Sequence, residues 1–146
     1  MSDLAVRRAE ADDGEAGAAL ARSRPYTARW SARELAHELD RLDSVFVVGD
    51  ERGTLQGYAL ARVIERDCRL LDLAAALDGG GRGRALMSAL ALVAKARGCV
   101  KISFEVSAAN ERALAFYAKA GARVVGRRPK FYNDGSDAVL MDLDIP

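Results

Sequence analysis

The chain has 146 residues, half of them apolar, with 22 Lys and Arg against 21 Asp and Glu and a formal net charge of +1. That length fits one domain with one core, and the even charge excludes a global electrostatic pull toward nucleic acid or a membrane surface. No apolar run approaches the roughly 20 residues of a membrane-spanning helix, and the start MSDLAVRRAEADD lacks the apolar segment of a secretory leader. Cys68 and Cys99 form neither a close pair nor a ligand cluster. They read as buried reduced thiols, which suits the cytoplasm, and no metal is expected.

In chain order, Leu4 to Arg8 alternates as a short strand, and Asp12-Asp13 marks the start of a helix ending at Ser23. Arg24-Pro25-Tyr26-Thr27 breaks it. A second helix opens at Ser31, with Glu34 completing a capping box. Its apolar stripe is Leu35, Leu39 and Leu42, with His37 off that stripe and exposed. Glu34 and Glu38 share a face, either plainly solvated or an acidic lip for a basic substrate. Three antiparallel strands follow: Ser44 to Gly49, Thr54 to Ile64 and Arg69 to Ala75. The first two are joined by a hairpin turn over Asp50 to Gly53.

Arg82 to Arg97 is the best helix of the chain, with Leu86, Ala89, Leu90, Val93 and Ala96 on its broad apolar face and Gly98 closing it. Lys101 to Val106 alternates with period 2: Ile102, Phe104 and Val106 face one way, Lys101, Ser103 and Glu105 the other. A helix follows over Asn110 to Ala120, stopped by Gly121. Strands at Arg123 to Arg127 and Ala138 to Asp144 close the chain as a hairpin around a loop holding Asn133-Asp134-Gly135. Strand, two helices, three strands, then helix, strand, helix and two strands give an α/β (α+β) fold with a mixed sheet, not a doubly wound parallel one.

Two constellations carry chemistry. Gly79, Gly80, Gly81 and Gly83 lie between a strand and a helix, where bare backbone amides and the helix N-terminus favour an anion, with Arg82 and Arg84 adding charge. A pyrophosphate fits. The pattern is neither a P-loop nor a dinucleotide fingerprint, and a plain loop is the equal alternative. The second constellation is Glu105, Asn110 and Tyr117. Taken singly, Glu105 reads equally as a salt-bridged surface group, Asn110 as a helix N-cap and Tyr117 as core.

Their joint spacing, Glu105-Val106 followed by Asn110, Ala113 and Tyr117, resembles the GNAT acyl-CoA N-acyltransferases. Within them it is similar to the bacterial ribosomal-protein alanine N-acetyltransferases. Arg29-Trp30-Ser31 matches the family's Pro-Trp-Ser entry to the second helix, with Arg in place of Pro. Gly81 to Leu86 matches its pyrophosphate loop, and Arg127-Arg128, Tyr132, Asp134-Gly135, Asp137-Ala138 and Met141 match its tail. The lead into the loop is shorter than the family's, and Asp78 stands where the family carries Arg or Gln.

The resemblance implies one N-acetyltransferase domain over 1–146, with a mixed, mostly antiparallel sheet of about seven strands flanked by about four helices. It implies acetyl-CoA as co-substrate, bound by the backbone of Leu73, Ala74 and Ala75, by the glycine loop from Gly79 to Arg84, and by Asn110 and Tyr117. It also implies Glu105 as base, Tyr117 as acid, and Trp30 and Tyr132 against the acceptor. That acceptor would be a protein N-terminus, as on a ribosomal protein, with no nucleic-acid or membrane partner. A small-molecule amine as acceptor and a non-catalytic acyl-CoA-binding module remain the alternatives. Oligomeric state is not legible.

Overall fold

The computed structural model describes residues 4–76 and 81–146. Among these the elements are β1 (Leu4–Arg8), a 3-10 turn (Ala11–Asp13), α1 (Gly14–Ser23), α2 (Ala32–Leu39), β2 (Ser44–Glu51), β3 (Thr54–Ile64), β4 (Asp67–Ala75), α3 (Arg82–Ala96), β5 (Lys101–Ser107), α4 (Glu111–Lys119), β6 (Arg123–Arg128) and β7 (Ala138–Asp144). They form one seven-stranded sheet in the order β1-β2-β3-β4-β5-β7-β6. Every neighbouring pair is antiparallel except β4 and β5, which run parallel. This is the mixed, mostly antiparallel α/β sheet with four helices that the element order predicts.

The two faces of the sheet are covered by different helices. On one face Leu86, Met87, Leu90 and Ala94 of α3 and Tyr117 of α4 pack on Val45, Val47, Ala59, Ala61, Cys68, Leu70, Ile102, Phe104 and Val106. On the other, Ala18, Leu20, Ala21 and Leu35 of α1 and α2 pack on Phe46, Val48, Tyr58, Leu60 and Ala74. The period-2 reading of β5 holds: Ile102, Phe104 and Val106 lie in the α3–α4 core, which turns Lys101, Ser103 and Glu105 to the α1–α2 face. The β2–β3 hairpin turns through Arg52 (φ 52°) and Gly53 (φ 86°), both left-handed, as a tight two-residue loop requires.

Four local expectations change. The buried face of α3 is Leu86, Met87, Leu90 and Ala94, with Val93 exposed, because the helix leans on β2 and β3 through a face rotated from the predicted one. Helix α2 stops at Leu39 with Asp40 as its C-cap, so Leu42 leaves the stripe and is 94% exposed. Glu34 and Glu38 make no acidic lip. Glu34 closes the Ser31 capping box, and buried Glu38 pairs with Arg62 and accepts from Ser44. At the start of α1, the Asp13 carboxylate turns back to the Glu10 amide (2.7 Å) and to Arg7 (2.8 Å), making no cap bond.

Gly57 shows how tightly the sheet meets α3. A Cβ placed there would lie 2.8 Å from Leu86 Cδ1 and 2.9 Å from the Ala74 carbonyl oxygen. The leucine tip can move but the backbone oxygen cannot without disturbing the β3–β4 ladder. Gly57→Ala is expected to lower stability by about 1–3 kcal/mol in urea unfolding, the ordinary cost of overpacking.

Candidate active site

The β4–β5 pairing covers three residue pairs, Asp67–Lys101, Cys68–Ile102 and Arg69–Ser103. Beyond Arg69 the strands part, and a cleft of about 660 Å³ opens between them. Its walls are Leu70 to Leu73 of β4 and Phe104 to Ser107 of β5. Asn110, Ala113 and Tyr117 line it from α4, Pro25 to Arg29 from the α1–α2 loop, and Tyr132 to Asp134 from the β6–β7 loop. The slot therefore reaches both sides of the sheet.

A bulge re-aims β4 at the point of parting. Ala61 pairs with Leu70 while Leu60 pairs with Asp72, so Leu71 is the extra residue. Cys68 and Leu70 sit in the α3–α4 core, but Ala74 sits in the α1–α2 core. The insertion has reversed the alternation, which puts Asp72 on the same face as Glu105.

Glu105 is half-buried between two cations, 3.3 Å from Arg69 Nη2 and 3.8 Å from Arg128 Nη2. Tyr117 approaches from the opposite face. Its ring packs 4.3 Å from Phe104 and 5.1 Å from Phe116, centre to centre. Burial raises the pKa of its phenol, and the charge of Asp72 adds to the rise, so Tyr117 keeps its proton at neutral pH. Asn110 caps α4, accepting from the Ala113 amide at 3.2 Å, and also lines the cleft. The N-cap reading of Asn110 holds.

Two loops close the cleft on the side away from α4. The α1–α2 loop is held by Thr27 Oγ1 and Arg29 Nη1, which donate to Ala21 O at 2.5 and 2.8 Å and so satisfy the end of α1. In the β6–β7 loop, Asp134 accepts from Ser136, and Ser136 meets Ser107 Oγ at 2.8 Å. That turn holds Tyr132 over the cleft. Burial raises its phenol, and the Glu105 charge raises it further. Trp30 does not line the cleft but stands behind its wall, donating from Nε1 to Asp72 Oδ2 at 3.0 Å.

Asp72 went unnoticed in the sequence. It is buried, and its Oδ2 accepts from Tyr58 (2.6 Å), Trp30 (3.0 Å) and the Ala28 amide (3.3 Å). Burial raises its carboxyl above the usual range, opposed by those hydrogen bonds. A polar residue inside the apolar run LLDLAAAL was the available signal, but period-2 counting assigns it to the wrong face.

The residues fit acetyl-CoA. Leu73 lines the cleft where β4 has lost its β5 partner, while Ala74 is buried and Ala75 lies farther along the strand. Helix α3 starts at left-handed Gly81 (φ 77°) with no side-chain cap among the described residues, and its first-turn amides are of the kind that receives an anion. Arg82 is paired with Glu51 at 3.1 Å and has a buried Nε without a partner among the described residues; Arg84 is exposed. A Cβ on Gly83 would lie 3.1 Å from the Phe116 ring, so that glycine lets α3 approach α4. Gly79, Gly80 and Asp78 lie outside the described residues.

The raised Asp72 carboxyl gives a signed expectation. In the window between the ordinary carboxylate value and the raised one, the folded state holds more protons than the unfolded state, so stability falls as pH rises through it. Above that window the protein bears the full cost of the buried charge. Asp72→Asn is expected to raise the urea midpoint at about pH 7, with the advantage shrinking toward about pH 4. A less stable variant at neutral pH would show that the three hydrogen bonds outweigh the charge.

Comparisons with known proteins agree with this geometry. The model of the acetyltransferase (GNAT) family matches residues 17–122. A Bacillus subtilis protein described as a candidate ribosomal protein bS18-alanine N-acetyltransferase is 27% identical over 124 residues, covering 82% of each chain. The crystal structure of the ribosomal-protein-S18-alanine N-acetyltransferase of Escherichia coli superposes with a TM-score of 0.84 at 26% identity, over 97% of this chain and 94% of that one. Mycothiol acetyltransferase of Propionibacterium freudenreichii is 36% identical over 87 residues, 56% of this chain and 28% of that protein. The chain belongs to the GNAT family of acetyltransferases and is an acetyl-CoA-dependent N-acetyltransferase.

Proposed function

We propose that the chain transfers an acetyl group from acetyl-CoA to the α-amine of a protein N-terminus, with the N-terminal alanine of a ribosomal protein as the acceptor. The observation that carries this reading is the single cleft lined by Glu105, Tyr117, Asn110 and both acceptor-side loops. The likeness to the two alanine N-acetyltransferases, over nearly the whole chain, supports the choice of acceptor. A cytoplasmic location goes with it, where buried free thiols such as Cys68 and Cys99 stay reduced.

Bound acetyl-CoA supplies a thioester carbonyl for the amine to add to and a thiolate that leaves. The Leu73 to Ala75 backbone and the first-turn amides of α3 hold it, with Asn110 beside it. An α-amine has a pKa of roughly 8, so a weak base suffices to free it at neutral pH, whereas lysine at roughly 10.4 is harder to free. Glu105, on the acceptor face, takes that proton through a water. Tyr117, protonated and on the opposite face, gives its proton to the departing sulfur. The splayed strand from Leu73 to Ala75 supplies the backbone donor to the oxyanion. Tyr132 borders the acceptor channel, and Trp30 acts on it through Asp72. A small amine as acceptor is the second reading, supported by the likeness to mycothiol acetyltransferase.

Mass spectrometry of a peptide panel tests the acceptor. A peptide beginning Ala-Arg should gain one acetyl group, and the same peptide with a blocked N-terminus and a free lysine should gain none. Transfer to small amines alone would reject the protein acceptor. Glu105→Gln is expected to lower kcat about 10²- to 10⁴-fold, and Tyr117→Phe to lower kcat while acetyl-CoA still binds by calorimetry. Wild-type rates in both variants would reject the assigned roles.

A further inference from the structure

Of the three carboxylates that line the cleft, Asp134 belongs to the β6–β7 loop and accepts from Ser136, while Glu105 and Asp72 share one face of the sheet and are partnered differently. Glu105 sits between Arg69 and Arg128. Asp72 has only neutral donors: the Tyr58 hydroxyl, the Trp30 indole and the backbone amides of Ala28 and Leu73. Among the described residues no Lys or Arg pairs with it. A buried anion ordinarily has a cation within reach, because hydrogen bonds alone do not offset its lost hydration. Here the three side-chain and loop donors converge on Oδ2, and an ionised carboxylate has about four acceptor positions across its two oxygens. The residue lines the cleft, one position before the strand segment that meets the thioester arm. The bulge at Leu71 aims it there, at the cost of a buried charge in the free protein.

We propose that Asp72 is the acceptor-recognition residue of this site: its carboxylate receives the ammonium of the incoming amine and supplies the counter-ion that the free protein lacks. This rests on the reading of the site as an amine acetyltransferase. Asp72 holds the protonated amine at the mouth of the slot, and the proton then passes to Glu105 as the nitrogen turns to the thioester. The same carboxylate anchors the α1–α2 loop through Ala28 and Trp30, so acceptor binding and loop position are joined at one oxygen. Acceptors lacking a positive charge at the reacting nitrogen are passed over.

Trp30 is the only tryptophan of the chain, and its indole N–H donates to Asp72, so one resonance reports on the carboxylate. In the CoA-saturated wild-type protein, a hexapeptide beginning Ala-Arg is expected to shift the indole 1H–15N peak. The same hexapeptide with an acetylated N-terminus should leave it in place. In Asp72→Asn the two peptides should become indistinguishable. In steady state the variant should show a KM for the free-amine peptide raised about 10- to 100-fold, with kcat and the KM for acetyl-CoA little changed. A loop anchor without ammonium binding would treat the two peptides alike in the wild-type protein, which overturns the proposal. Normal peptide KM in Asp72→Asn overturns it too and leaves the N-terminal acetyltransferase reading standing. If the peptides do not bind but a small primary amine such as cysteamine shifts the indole, the protein acceptor fails and the role of Asp72 stands. An indole peak unmoved by peptides and amines alike overturns it outright.

Discussion

The parting of β4 from β5 after Arg69–Ser103 is the constraint on which the site depends. A parallel pair that stayed in register would seal the sheet and leave Glu105 facing one layer and Tyr117 another, with no passage between them. Because pairing stops, backbone groups of β4 lose their partners and a slot crosses the sheet. Unpaired backbone in a folded protein requires other partners, and a long polar acyl carrier can supply them. The slot is lined from α4 on one side and by the α1–α2 and β6–β7 loops on the other. One slot thus brings together Glu105 from the α1–α2 face and Tyr117 from the α3–α4 face.

The bulge at Leu71 works with the parting. A one-residue insertion reverses every side chain beyond it, and here it moves a carboxylate from the α3–α4 core to the α1–α2 face. The residues that meet Asp72 come from β3 and from the α1–α2 loop, so the strand, the loop and the wall of the cleft are fixed by one group. Glu105 is held differently, by Arg69 from the adjacent strand and Arg128 from the end of β6. Two anions on one face are tolerable because one is compensated within the protein and the other is shielded by oriented neutral donors.

Much of the fold was legible in the residues. The capping box at Ser31, the Arg52-Gly53 turn and the alternation of Lys101 to Val106 are local signals with local causes, and each predicted its element. The errors have a shared cause as well. Val93 and Leu42 were placed by extending a periodic pattern, but the packing of α3 on β2 and β3 chose a face rotated from the ideal one, and α2 stopped before Leu42. The glutamates of α2 looked like a charged lip because pairing with Arg62 spans distant sequence. At the site, the Glu105–Asn110–Tyr117 spacing was readable because one strand and the next helix carry it. Asp72 was not, because a bulge depends on the partner strand and leaves no mark in its own sequence.

By itself the sequence determined the order and kind of the elements, the capping box of α2, the β2–β3 turn and the polar and apolar faces of β5. These follow from short-range chemistry: capping, turn geometry and alternation. Tertiary structure alone decided that β4 and β5 part, that Leu71 bulges, and that Asp72, Tyr58, Trp30 and Ala28 meet at one oxygen. Those contacts join residues separated by 14, 42 and 44 positions. Their formation depends on which strand pairs with which and where the pairing ends, a balance of packing over the whole sheet that no local pattern encodes.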